Sequence, residues 1–283
     1  MTQSQPFFLA RGGDQGQRFC IYHPPQGECC GRVLHIHPFA EEMNKSRRMA
    51  ALQSRALAQA GFAVLQIDLL GCGDSSGDFG DAGWQEWLDD LDAGADWLTT
   101  NANVSAGATA TASNPLWLWG HRVGCLLAVE LAQRRAAACN FLFWQPPASG
   151  KLLLQQFLRL KVAGDMLGGK AVGTMAALKQ QLLSGETVEV AGYALSPALA
   201  NGLEQATLEP PRSTAQTVWL ELSAQPAAAV SPVTSALAQQ WAAAGAVVNV
   251  QQIQGPRFWQ TSEIEDAPAL LLATLNGLRA ASA

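Results

Sequence analysis

The pentapeptide Gly120-His121-Arg122-Val123-Gly124 stands between an apolar run, Leu116–Trp119, and an Ala/Leu-rich stretch of helical composition that continues to about Arg135. Strand, sharp turn and helix in that order is the setting of a nucleophile elbow, G-x-S-x-G. Its two glycines let the turn close tightly and lift the central side chain above a sheet. Here the central residue is Arg122, and a guanidinium stays protonated and cannot attack a carbonyl. The chemistry served by such a turn needs a nucleophile, a histidine that takes its proton and a carboxylate that orients the histidine. In chain order the acid should follow Thr217–Leu222, where Ser223-Ala224-Gln225-Pro226 offers no carboxylate. The base should follow the last strand, where the sequence reads Gln254-Gly255-Pro256-Arg257-Phe258-Trp259, and no histidine occurs after His121. Ordinary triad catalysis is therefore not expected.

Donors for an anion remain. Val123 N–H is expected at a helix N-terminus, with Phe39 N–H facing it from the turn after His37-Pro38, and such donors favour negative charge. Arg122 adds positive charge where the helix dipole is already positive, at a cost of ~0.3–1 kcal/mol unless something negative lies close. One candidate is an internal carboxylate (Glu41, Glu42 or Asp74), which makes Arg122 a structural tie. Another is a ligand carboxylate or phosphate held by Arg122 and the two N–H groups. A third reading keeps catalysis, with His37 as general base, Glu41 or Glu42 orienting it, and Ser75 or Ser76 nearby. Its plain competitor is His37 as a buried turn residue bonded to backbone. His23 and His35 read as structural. Cys72 is a conceivable nucleophile with no histidine close in sequence. Trp117, Trp119 and Trp144 read as core, whereas Trp259 either lines the site or fills the space of a missing histidine.

The elements that would position these groups alternate as strands and helices. Strands are expected at Arg18–Tyr22, Gly31–His37, Phe62–Asp68, Leu116–Trp119, Asn140–Gln145, Thr217–Leu222 and Ala246–Ile253. Helices are expected at Arg47–Ala60 (stopped by Gly61), Trp84–Thr99, Pro232–Ala244 and about Ala267–Leu278. Asn101–Asn114, nearly all Ala, Ser, Thr, Asn and Gly, reads as a flexible surface insertion. From Gly150 to about Ser213 the strand rhythm stops, and helical segments such as Lys151–Leu167 and Thr174–Leu183 predict a cap. Two further stations agree with the elbow. His37-Pro38 ends a strand where an oxyanion turn belongs. Asp68-Leu69-Leu70-Gly71-Cys72-Gly73-Asp74-Ser75-Ser76-Gly77 resembles the D-x-x-G-x-G-x-S-x-G loop of many α/β-hydrolases. The order of the three stations predicts an α/β-hydrolase fold of the α/β class. Its central sheet should be mostly parallel and flanked by helices, forming a single domain over residues 1–283 with a helical cap at about 147–213.

The 283 residues are 48% hydrophobic and 14% charged, with a formal net charge of −5. No stretch concentrates Lys and Arg, which argues against nucleic acid, and no apolar run approaches the ~20 residues that span a bilayer. Met1–Pro6 lacks the features of a secretory signal, and six scattered cysteines read as reduced thiols, so a cytoplasmic protein is expected. No cofactor is expected: there is no Walker loop, no G-x-G-x-x-G after a first strand and no metal-ligand cluster.

The sequence resembles the exosortase A system-associated hydrolases of type 2. The resemblance lies in the run His35-Ile36-His37-Pro38-Phe39-Ala40-Glu41-Glu42-Met43-Asn44-Lys45-Ser46-Arg47-Arg48, in Gln66 to Gly77, in Gln156-Phe157-Leu158-Arg159-Leu160-Lys161 and in Val190-Ala191-Gly192-Tyr193-Ala194-Leu195-Ser196. It extends from about Pro6 to the last helix. It implies an α/β-hydrolase fold and a bacterial setting of exopolysaccharide production and PEP-CTERM protein sorting. The leading expectation is a member that has lost triad chemistry. It would bind a small anionic or acyl-bearing ligand, or a component of the exopolysaccharide or exosortase system, through Arg122, Val123, Phe39, Glu41, Asp74 and Trp259. The alternatives are a hydrolase of ester or peptide-like substrates working around His37 and Ser75, and a scaffold with its pocket filled.

Overall fold

The structure, a computed structural model, describes residues 3–105, 115–135, 138–167, 174–210, 215–226 and 228–282. The strands are β1 (Gln5–Ala10), β2 (Gln17–His23), β3 (Gly31–Ile36), β4 (Phe62–Ile67), β5 (Leu116–His121), β6 (Cys139–Trp144), β7 (Val188–Val190), β8 (Tyr193–Leu195), β9 (Gln216–Ser223) and β10 (Val247–Gln254). The helices are α1 (Glu41–Gln59), α2 (Trp84–Ser105), α3 (Val123–Arg135), α4 (Gly150–Leu167), α5 (Met175–Leu183), α6 (Pro197–Gln205), α7 (Pro232–Ala243) and α8 (Pro268–Ser282).

Eight strands form one sheet in the order β1-β2-β4-β3-β5-β6-β9-β10. β2 runs antiparallel to both of its neighbours, β1 and β4, and the pairs from β4 through β10 are parallel. The central strands are apolar on both faces, as β5 shows with all six residues buried. That pattern follows when crossover helices cover a parallel sheet on both sides. One apolar layer joins Val33, Trp117, Trp119 and Trp144 of the sheet to Met49 and Leu57 of α1 and Leu270 of α8. The other joins Leu34, Leu118 and Phe143 to Trp87 and Leu91 of α2, Leu126 of α3 and Trp241 of α7. The three sheet tryptophans are core, and the Trp144 indole N–H donates to Thr274 Oγ1 at 2.9 Å.

Local chemistry sets several boundaries. Ser196 and Ser231 cap α6 and α7 by accepting from Leu199 N–H and Thr234 N–H, each with proline at the first helical position. Three features differ from the sequence reading. β1 is a half-exposed edge strand whose apolar alternation is weak. α1 begins six residues earlier than Arg47, a start the sequence does not announce: Ala40 precedes it without a capping side chain, and only Glu41 and Glu42 in the first turn favour the dipole. The segment between β6 and β9 is not purely helical: besides α4, α5 and α6 it holds the hairpin β7–β8. That hairpin turns on Ala191 and Gly192, both at positive φ, the backbone of a tight two-residue turn. Of the expected insertion, Asn101–Ser105 belongs to α2, and residues 106–114 lie outside the described residues, as do 168–173 and 211–213 of the expected cap. Among the described residues no helix is long and apolar enough to cross a membrane.

Candidate functional site

The end of β5 delivers the chain into the elbow. Arg122 takes a φ of 54°, and α3 starts at Val123. A left-handed conformation on a residue with a Cβ costs about 1–2 kcal/mol and persists only where the surroundings enforce it. The two glycines show how they do. A Cβ at Gly120 would stand 2.5 Å from Cys125 N, and one at Gly124 would stand 2.1 Å from the carbonyl oxygen of Ile36. Gly124 therefore lets the start of α3 rest against the end of β3, beside the turn His37–Ala40. Ala40, the residue after Phe39, is also at positive φ, 49°. Among the described residues neither Phe39 N–H nor Val123 N–H has a protein acceptor.

The Arg122 side chain is 11% exposed and pairs with Glu42, itself 24% exposed. Nε donates to Glu42 Oε1 and Oε2 at 3.2 and 3.3 Å, and Nη2 donates to Oε1 at 3.2 Å and to Gln156 Oε1 at 3.4 Å. Burial pushes the Glu42 carboxyl above its ordinary value, and the Arg122 charge and its hydrogen bonds oppose that rise. The guanidinium carbon lies 5.9 Å from the centre of the Trp259 ring, within reach of a cation–π contact. Above this pair opens a cavity of about 400 Å³ walled by Phe39, Leu153, Phe157, Leu160 and Trp259. Lys45, at its edge, is committed to the carbonyls of Thr261 and Ser262. Glu41 Oε2 accepts from Tyr193 OH at 3.0 Å and Asn44 Nδ2 at 3.1 Å, tying the β7–β8 hairpin to α1. Burial, followed by the bond to Glu41 and the charge on it, pushes the Tyr193 hydroxyl up to about 12.

Of the expected ligand-binding residues, Arg122, Phe39, Glu41 and Trp259 line this cavity. Val123 is buried and is not among the lining residues. Asp74 is not brought there: it is exposed, with its N–H on Asp68 Oδ2 at 3.3 Å. Glu42, one of three carboxylates considered for Arg122, is the partner.

The catalytic pair weighed from sequence is placed elsewhere. Leu69 N–H donates to His37 Nε2 at 3.3 Å, so the proton sits on Nδ1, which donates to the Pro38 carbonyl at 2.8 Å. Both ring nitrogens are thus held by backbone, and burial lowers the pKa against the pull of Asp68. Ser75 Oγ donates to the Asp68 carbonyl at 2.6 Å and accepts from Phe19 N–H at 2.8 Å, and Ser76 Oγ accepts from Gln17 N–H at 3.0 Å. The two serines fasten the Asp68–Gly77 loop to β2. His37 borders a second cavity of about 210 Å³ between the sheet and α1, with His35, Arg47 and Asp68. His121 is enclosed by Trp144, Phe258 and Trp259. Burial, then the proximity of the His35 ring and the charge of Arg122, hold it well below its ordinary value. His23 meets Gln66 Oε1 at 3.2 Å. Cys72 is buried, and its thiol is pushed up by burial and Asp68.

Residues 27–224, well over half of the chain, match the family described as serine aminopeptidase, S33 (Hydrolase_4). The chain belongs to this family. The uncharacterized protein RP471 of Rickettsia prowazekii (strain Madrid E) is 33% identical over 117 residues, which are 41% of this chain and 44% of that protein. The match thus spans less than half the length of that relative. Est1E from Butyrivibrio proteoclasticus with ferulic acid bound superposes with a TM-score of 0.64 at 16% identity, covering 94% of this chain and 96% of that one. A thermostable carboxyl esterase from Bacillus coagulans gives 0.65 at 14% identity, over 100% of both chains. A soluble variant of monoglyceride lipase from Saccharomyces cerevisiae gives 0.60 at 13%, over 98% and 94%. At such identities the likeness is one of fold, and that fold is the α/β-hydrolase fold.

Sequence reasoning did not place Leu153, Gln156, Phe157 and Leu160 in the pocket. The available signal was the amphipathic spacing of α4, with Leu153, Leu154, Phe157 and Leu158 buried at i, i+1, i+4 and i+5. That spacing fits an amphipathic cap over an apolar pocket and a charge-flanked core helix equally well.

Proposed function

We propose that this family member is a non-hydrolytic binding protein whose ligand is an acyl-bearing molecule held in the pocket between the elbow and α4. One observation carries the reading: a strained, glycine-dependent elbow is kept beneath an open apolar cavity of about 400 Å³, yet its central side chain is a guanidinium already paired with Glu42. A cavity of that size suits a medium acyl chain. With Arg122 neutralised by Glu42, the donors left to a ligand are the N–H groups of Phe39 and Val123, which suit a neutral acyl carbonyl better than a free anion. Trp259 occupies the loop from which a general base would reach, and His37 has no nitrogen to spare. Hydrolysis by a serine triad has no groups to use. The resemblance to the exosortase A system-associated hydrolases supports a place in bacterial exopolysaccharide and PEP-CTERM physiology, with a cytoplasmic location.

Two assays on the purified protein test this together. Short- and medium-chain p-nitrophenyl esters should show no turnover above buffer. Isothermal titration should show saturable binding of octanamide, weaker binding of octanoate, and loss of both in Leu153→Trp, which fills the cavity. Ester turnover that disappears in His37→Ala would overturn the reading in favour of a hydrolase working around His37. Absence of binding by either probe would leave the scaffold.

A further inference from the structure

Helix α4 forms one wall of the pocket with its inner face, and its outer face is left uncovered. Leu152, Gln156, Arg159, Leu160, Ala163, Met166 and Leu167 recur at three- and four-residue spacing, so they form one stripe along the helix. Leu152 is 50% exposed, Leu160 56%, Met166 65% and Leu167 91%. Four of the exposed large apolar side chains among the described residues therefore lie on this single helix, and α5, which packs on it, adds Leu183 at its end. The charges on α4 are one-sided. Lys151 and Arg159 are exposed and make no ion pair among the described residues, whereas the helix's one acid, Asp165, is buried against Lys161 at 3.0 Å. A protein of net charge −5 thus carries an acid-free, cationic and aliphatic stripe. At 1.5 Å per residue it is about 22 Å long.

We infer that the outer face of α4 docks on an anionic lipid surface, lying flat with Leu152, Leu160, Met166 and Leu167 among the acyl chains and Lys151 and Arg159 at the headgroups. Leucine and methionine flanked by Lys and Arg are what an interfacial helix presents to a bilayer. The stripe lacks the aromatic anchors that dominate protein–protein contacts. The net negative charge of the whole chain is repelled by the same surface, so the cations beside this stripe favour its approach and orient the molecule. Gln156 and Leu160 belong both to the stripe and to the pocket lining, so docking sets the mouth of the pocket against lipid. The docking itself depends on the outer face alone and holds whatever the pocket takes.

Co-sedimentation with vesicles tests it, using phosphatidylcholine alone and phosphatidylcholine containing phosphatidylglycerol. The protein should sediment with the anionic vesicles and remain in solution with the neutral ones. Lys151→Glu with Arg159→Glu should weaken binding by about 25-fold or more, since each cation at an anionic surface is worth about fivefold. Leu152→Gln with Leu167→Gln, which changes two exposed residues outside the pocket lining, should abolish binding while the circular dichroism stays that of the parent. Leu153→Trp should block the pocket and leave vesicle binding intact, which separates this inference from the acyl-ligand reading. No sedimentation with anionic vesicles overturns the proposal, as does binding indifferent to both double variants. Light scattering that shows a dimer broken by Leu152→Gln with Leu167→Gln also overturns it and assigns the face to a second copy of the chain.

Discussion

The carboxylate of Glu42, in the first turn of α1, is gripped by both Nε and Nη2 of Arg122 at the centre of the elbow, each 3.2 Å from Oε1. The pair joins two elements 80 residues apart in sequence. It holds the elbow side chain down against Trp259 while the cavity above stays open. A nucleophile at that position would have to stand free; this side chain is anchored.

Backbone strain at Arg122 is separable from the ion pair. Arg122→Ala and Arg122→Gly both lose the contacts to Glu42 and Gln156, but only glycine relieves a φ of 54°. Urea denaturation should find Arg122→Gly the more stable of the two by about 1 kcal/mol. Equal stabilities would mean that the turn carries no such cost.

Arg122→Ser recreates the G-x-S-x-G pattern, and no ester turnover should appear. The serine would meet Trp259 where a base is needed, His121 is enclosed by Trp144, Phe258 and Trp259, and His37 is fixed to Leu69 and Pro38. Measured hydrolysis above background in this variant would show that a general base reaches the elbow after all.

Glu42→Gln should behave differently at different pH. The Glu42 carboxyl is raised in the folded protein, so the native state holds its proton more tightly than the unfolded chain does. Its contribution is fully present below the unfolded value and is lost as pH rises through the folded value. Relative to the parent, Glu42→Gln should therefore be least favoured in acid and gain toward neutral pH, by up to ~1.4 kcal/mol for each unit of the shift. Parallel stability curves would contradict this assignment.

His35 and His121 run the other way. Burial lowers His35 to about 3 and His121 well below its ordinary value, so both are neutral in the folded protein. The unfolded chain binds protons near pH 6.5 that the native state does not. Stability is intact above that value and declines as pH falls toward 3, approaching ~1.4 kcal/mol per pH unit for each histidine. Thermal melts across that range should show a steep fall in Tm, flattened in His35→Gln. A Tm unchanged between pH 7 and pH 5 would refute it.

How much could be read in advance depended on how local each signal was. The elbow, the His37-Pro38 turn and the Asp68–Gly77 loop are written in consecutive residues, and their order along the chain already predicted an α/β-hydrolase fold. Their side chains were harder. Ser75 and Ser76 look like available hydroxyls, but they bind β2, a strand more than fifty residues earlier. His37 occupies the position of a useful base, yet the backbone of Leu69 and Pro38 takes up both of its nitrogens. The choice of Glu42 over Glu41 and Asp74 was not local: Glu41 is taken by Tyr193 and Asn44, and Asp74 is exposed on another loop. The hairpin β7–β8 was hidden because three-residue strands carry too little alternation to register.

By itself the sequence determined the alternation of strands and helices, the glycine-framed turn with Arg122 at its centre and the absence of any histidine after position 121, because each is a property of composition or of neighbours in the chain. Only the tertiary structure decided that Arg122 pairs with Glu42, that Trp259 and α4 enclose a cavity over that pair, and that His37 and Ser75 serve the backbone. Those outcomes depend on distances between residues tens of positions apart. Competition for hydrogen-bond partners, once the sheet has closed, sets which of several eligible groups remains free.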